Sequence, residues 1–144
     1  MTDQLYQERI VALAKARIGA GKLAAPTRSA RRDNPLCGDR VTVYLQLGAD
    51  GRVADIKFEG KGCAISQASA SMMTDMLMGR SQADAEKLMQ GFLHLVKGED
   101  ASDLSEDDRE RLEVMGGISE FPMRVKCATL AWHTYKSAVE EGAT

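Results

Sequence analysis

Residues 41 to 58 alternate between apolar and polar side chains. Val41, Val43, Leu45 and Leu47 take turns with Thr42, Tyr44 and Gln46; Asp50-Gly51 interrupts; then Ala54, Ile56 and Phe58 take turns with Asp55, Lys57 and Glu59. Successive side chains of a strand point to opposite faces, and Asp-Gly supplies the positive φ of a tight hairpin turn. The stretch therefore predicts an antiparallel hairpin with one apolar face. That face must be covered, and the chain beyond residue 63 has a helical period.

Residues 64–78 place Ile65, Ala68, Met72 and Met76 on one helical stripe that Gly79 ends. Ser81 with Asp84 marks the start of a second helix with Ala85, Leu88, Met89 and Phe92 as its apolar stripe. Ser105 caps a short third helix, and a fourth runs from Pro122 to Glu141. Ahead of the hairpin, Tyr6, Ile10 and Leu13 predict a helix over 3–18, with Thr2 or Asp3 as its N-cap. Between them, Gly19 to Pro35 shows no period and reads as a loop exposing Arg28, Arg31 and Arg32, either as a solvated linker or as a contact for an acidic partner. Short strands followed by a run of helices indicate an α+β fold, a small antiparallel sheet with helices packed on one face. The expected organisation is a single domain over 1–144: helix and loop to 35, hairpin 36–62, helical part 63–144.

Charge and composition exclude several classes. A formal net charge of −2 and a pI near 5.7 provide no global field for nucleic acid. No apolar run approaches membrane-spanning length and no charged-then-apolar leader opens the chain, so neither membrane nor export is expected. Three cysteines cannot all pair with one another; in the reducing cytoplasm expected here, free thiols serve as ligands, nucleophiles or core residues. Met72, Met73, Met76 and Met78 could form a soft-metal or partner surface, but at helical spacing core packing is the reading adopted. The run from Glu99 to Glu113, eight acidic residues against Arg109 and Arg111, reads as solvated.

The cysteines all fall at element ends. Cys37 stands at the entrance to the first hairpin strand, two residues before Asp39; Cys63 follows the second strand after Gly60 and Gly62; Cys127 lies in the early turns of the last helix. A hairpin brings the start of its first strand beside the end of its second, so Cys37, Asp39 and Cys63 are expected together. The two glycines relieve crowding there, and a helix N-terminus at Cys63 favours the thiolate. Cys127 has to arrive by tertiary packing. Three thiolates and a carboxylate match the donor set of tetrahedral zinc. The spacing alone, 26 and 64 positions without a CxxC pair, leaves three separately buried cysteines equally open. A Cys127–His133 nucleophile pair is a further reading, although six residues turn a helix through about 600° and point the two apart. His94 reads as a partly exposed helix residue.

"NPLCGDRV", "GKGCAISQASASMM" and "FPMRVKCATLAWHTY" resemble the three cysteine motifs of the U-type iron-sulfur cluster assembly proteins, a family with IscU, SufU and NifU N-terminal branches, and most closely its SufU branch. The resemblance runs over residues 34–141. It implies the SufU/IscU-like fold, with an insertion at about 80–116, and a metal set of Cys37, Asp39, Cys63 and Cys127. It also implies Zn²⁺, a SufS-like cysteine desulfurase as partner, and a downstream SufB-type scaffold complex. In that reading Cys37 is the sulfur acceptor, freed when a desulfurase histidine takes its place on the metal, and the chain is a sulfur-transfer protein that activates its desulfurase. Cys63 is then a structural ligand. Lys126 and Arg124, beside Cys127, either offset the site's formal −2 charge or steer an anionic persulfide. The alternatives are a scaffold for a transient iron-sulfur cluster and a structural zinc domain that only binds a partner. The chain departs from relatives in three places. Lys126 stands where IscU-like proteins carry histidine, "FPMRVK" only partly matches their LPPVK-like segment, and "ALAKARIGAGK" replaces "DHYKNPRN".

Overall fold

A computed structural model of the 144-residue chain describes residues 3–34, 38–101 and 104–141. Its elements in order are α1 (Asp3–Ala16), β1 (Arg28–Asn34), β2 (Asp39–Leu47), β3 (Val53–Lys61), α2 (Ala64–Leu77), α3 (Gln82–Val96), α4 (Glu106–Leu112), a 3-10 segment (Glu113–Ile118) and α5 (Pro122–Glu141). The three strands form one antiparallel sheet in the order β1-β2-β3. The fold is α+β, as the alternation and the helical run require.

The hairpin carries the expected inner face, with one shift. Val43 pairs with Phe58 and Leu45 with Ile56, and all four are fully buried. Past Gln46 the register slips, so Leu47 pairs with Val53. Val53 is buried while Ala54, expected inward, is exposed. One extra residue in a bulge reverses the alternation beyond it.

The segment read as a loop before the hairpin contains a strand. β1 pairs with β2 from Arg28↔Leu45 to Asn34↔Asp39, so the hairpin is two strands of a three-stranded sheet. Arg31 and Arg32 are exposed, and Arg28 is half-buried. Arginines suit an edge strand, whose outer side lacks a partner and whose charge discourages unwanted pairing. The opposite edge is covered differently. The first helix ends at Ala16 rather than 18, and the chain then runs beside β3. There Gly21 N–H donates to Phe58 C=O at 2.8 Å and Phe58 N–H to Gly19 C=O at 2.9 Å. Gly19 has φ +79°, and any Cβ there would strike Thr74.

α5 packs on β1 and β2, α2 on β3, and α1 on the far side of α2. α2 is therefore enclosed, with Ser66, Ala68, Ser69, Ala70, Ser71, Met72, Met73, Thr74, Met76 and Leu77 all buried. Small Ala and Ser positions let three neighbours approach one helix closely. Met72, Met73 and Met76 are core residues, as read from their spacing, while Met78, after the helix end, is 44% exposed. Ser81 and Ser105 cap α3 and α4 as expected, accepting from Asp84 N–H and Asp108 N–H at 3.2 and 3.1 Å. The acidic run is less solvated than its composition suggests. Asp108 takes a two-pronged contact from Arg80, 2.7 and 3.1 Å, and Arg111 of the same run pairs with Asp75. Among the described residues no helix is long and apolar enough to cross a membrane.

Candidate metal centre

The hairpin and two helices converge at one end of the sheet. Asp39 opens β2 on the same face as Val41 and Val43 and is 1% exposed. Across the ladder, β3 ends at Lys61, and Gly62 carries the chain directly over the Asp39 carboxylate, which any Cβ at Gly62 would strike. This glycine is required by that close approach, and Gly60 is required too, because its Cβ would meet the Arg40 carbonyl. Cys63 is the next residue and the N-cap of α2, its sulfur accepting from Ser66 N–H at 3.4 Å.

Asp39 and Cys63 are tied twice. Cys63 N–H donates to Asp39 Oδ1 at 3.0 Å, and the Cys63 thiol donates to Asp39 Oδ2 at 3.7 Å. The backbone contact fixes the carboxylate and leaves its second oxygen aimed at sulfur. Cys127, in the second turn of α5, is 6% exposed; Pro122 begins that helix where a missing N–H breaks no intrahelical bond. One donor atom each from Asp39, Cys63 and Cys127 lies within 4.8 Å of the others. Cys37, the fourth sequence candidate, lies outside the described residues.

Two sulfurs and a carboxylate oxygen from three separate elements are a donor set for a thiophilic, borderline-soft cation such as zinc. The donor chemistry fits the metal expected from the sequence, and Cys63 is exposed to solvent. The rim is cationic and apolar. Lys126 and Arg124 are on the first turns of α5, and the Arg124 guanidinium lies 4.4 Å over the Phe121 ring. Phe121 and Met123 are 45% and 44% exposed.

His133 does not join this group. Burial first, then the charges of Arg32, Lys97 and Lys136, hold its pKa below the ordinary 6.5, which sets it among cations on another side of α5. His94 is half-buried on α3. Gln67, one turn beyond Cys63, escaped the sequence reading. Its side-chain oxygen is buried with no hydrogen-bond partner among the described residues, and its i+4 spacing from Cys63 was the available signal.

The chain has relatives among known proteins. The family described as the NifU-like N terminal domain matches residues 5–128. A Thermotoga maritima protein named iron-sulfur cluster assembly scaffold protein IscU is 37% identical over 95% of this chain and 94% of its own. A Bacillus subtilis protein named zinc-dependent sulfurtransferase SufU is 42% identical over 76% of this chain and 74% of its own. A crystal structure of a putative iron-sulfur cluster assembly scaffold protein for the SUF system from Fervidobacterium islandicum superposes with a TM-score of 0.86 at 31% identity, covering 97% of this chain and 100% of the other.

Proposed function

Because the chain belongs to the NifU-like N-terminal domain family, we propose that it works in iron-sulfur cluster assembly as a zinc-holding sulfur carrier of the SufU type. The observation that carries this reading is the convergence of Asp39, Cys63 and Cys127 within 4.8 Å. The name of the Bacillus subtilis relative, a zinc-dependent sulfurtransferase, supports it. Zinc would be held by Asp39, Cys63, Cys127 and Cys37, and when bound it keeps such thiols deprotonated and protected from oxidation.

The chain's own residues divide the work. Asp39 is fixed by the Cys63 amide, and Cys63 is committed to the N-terminus of α2, so both serve as holding groups. Cys127 is buried in a helix. Cys37, two residues before Asp39 in sequence, is the acceptor. Its thiolate attacks the outer sulfur of a desulfurase cysteine persulfide; the sulfur–sulfur bond there breaks, the desulfurase cysteine leaves as a thiolate, and Cys37 becomes the persulfide. No external oxidant is needed. The exposed Phe121 and Met123 beside Arg124 and Lys126 give a desulfurase an apolar contact with a cationic rim, and a SufB-type scaffold complex is the onward acceptor. A second reading is favoured by the Thermotoga maritima relative, named a scaffold and aligned over nearly the whole chain: the same thiolates then carry a nascent iron-sulfur cluster as cargo.

One experiment separates the readings. Zinc-loaded protein is mixed with a desulfurase and cysteine, quenched with an alkylating agent, and its peptides are mapped by mass. The carrier reading expects one zinc per chain, retained during transfer, a persulfide on Cys37, and faster desulfurase turnover. A persulfide confined to Cys127, or activity only after iron replaces zinc, selects the scaffold. Zinc content unchanged in Cys63→Ser removes the proposed ligand set. If Arg124 steers the persulfide, Arg124→Glu slows transfer more at low salt than at high salt, because exposed charges are screened; equal slowing at both ends that role.

A further inference from the structure

α1, α2, α4 and the 3-10 segment leave a cavity of about 420 Å³ between them. Its floor is apolar and belongs to the core, with Met72 of α2 4% exposed and Val114 of the 3-10 segment 2% exposed. The wall on α1 is low. Arg9, Ala12, Leu13 and Ala16 line the space at i, i+3, i+4 and i+7, one face of a helix. The two alanines offer only a methyl each, which leaves open the space above Met72 and Val114.

The rim is charged. Arg111, in the last turn of α4, donates through Nη2 to Asp75 Oδ2 on α2, and Arg9 stands on the α1 side. The lining therefore sets two guanidiniums against one carboxylate. This place is remote from the metal centre, because Cys63 caps the N-terminus of α2 and Asp75 lies in its last turn, about 18 Å further along the helix.

These features select a class of ligand. A volume of this order holds a small organic molecule, the floor and the methyl-lined wall accept hydrocarbon, and methionine adapts its shape to an irregular guest. The excess charge is a guanidinium, whose planar fork matches a carboxylate. Arg111 commits one nitrogen to Asp75 and keeps further N–H donors to offer. We propose that the cavity binds a small amphipathic carboxylate of the medium-chain fatty acid kind, its chain lying on Met72 and Val114 beside Ala12 and Ala16, and its carboxylate meeting Arg111 and Arg9.

The test uses the full chain and sodium octanoate as the probe, followed by NMR of the Ala12, Ala16 and Met72 methyl groups. The expected result is a saturable shift confined to the cavity, half-complete at millimolar concentration or below. Sodium acetate, which lacks the chain, and octanol, which lacks the charge, should each bind about tenfold more weakly or worse. Ala16→Leu fills the space from α1 and should abolish the octanoate shift at Met72 at an unchanged thermal midpoint; Ala12→Leu takes its place if that variant does not fold. Arg111→Gln should weaken octanoate about tenfold while leaving octanol unchanged, a split that a merely structural role would not produce. Equal affinity for octanoate and octanol, shifts scattered over the whole surface, or full octanoate affinity in the folded leucine variant overturns the proposal.

Discussion

α2 and α5 meet in two regions that differ in almost every physical respect. At mid-length the contact is dry and satisfied. Ser69 Oγ donates to the Ala128 carbonyl at 2.5 Å and accepts from Trp132 Nε1 at 3.0 Å, and Phe92 of α3 stacks on Trp132 with centroids 4.4 Å apart and planes 16° apart. Tyr135, one turn on, has its phenol pushed up to about 12, by burial first and then by Glu86. Near their N-terminal ends the same helices present thiols, to each other and to a carboxylate, with Cys63 open to solvent. The contrast implies a division of labour. The saturated contact fixes helix spacing, and the donor cluster inherits that spacing without having to be rigid by its own packing. The link is one residue long, since Ser69 holds the carbonyl of Ala128, the neighbour of Cys127.

The largest expected effect comes from removing the dry contact. Trp132→Ala deletes a fully buried ring, loses the stack on Phe92 and leaves Ser69 without a donor. Truncations of this kind cost about 3–5 kcal/mol, to be read from denaturant unfolding. Zinc affinity should fall with it, measured by competition against a chelating indicator. Unchanged zinc affinity in a protein destabilised by that amount would refute the division of labour, because the two regions would then be independent.

A smaller change tests the link more finely. Ser69→Ala removes one oxygen and strands the buried Trp132 N–H, a loss on the order of 1–3 kcal/mol. It also frees the Ala128 carbonyl from its cross-helix tie. Visible spectra of the cobalt-substituted protein report ligand geometry directly, and a shifted or broadened spectrum in Ser69→Ala is the expected outcome. An identical spectrum would show that Cys127 is positioned by α5 alone.

These regions were unequally legible in the sequence. Helix caps at Ser81 and Ser105 and the Pro122 start are local signals, and local signals can be read from the chain. Asp39 beside Cys63 was also readable, because hairpin geometry puts one strand's start near the other's end. β1 was not. Arg28, Ser29, Arg31, Arg32 and Asp33 surround a single alanine, so the strand has no apolar face of its own; pairing with β2 and the cover of α5 impose it. The arrival of Cys127 and the Ser69–Trp132 bond depend on helix packing across about sixty residues, |i−j| = 59 and 63 for the two Ser69 contacts. Periodicity carries no trace of such partners. The stripe expected on α2 was too narrow for the same reason, since nothing local says that α1 covers its other side.

The smallest effect concerns a group one residue beyond the dry contact. His133 adjoins Trp132 but faces Arg32, Lys97 and Lys136, and its folded pKa lies below the unfolded value of about 6.5, chiefly through burial. The unfolded chain therefore binds more protons than the folded one between those two values. Stability from the neutral imidazole is complete above about pH 6.5 and is lost as the pH falls through the folded pKa. Unfolding free energy measured in phosphate-free buffer should slope downward on acidification across that window, and His133→Gln should flatten the slope while leaving stability near pH 8 little changed. A slope equal in both proteins would mean that the interior satisfied at Trp132 ends before it reaches the next residue, and the boundary between the two regions would have to be drawn one turn earlier on α5.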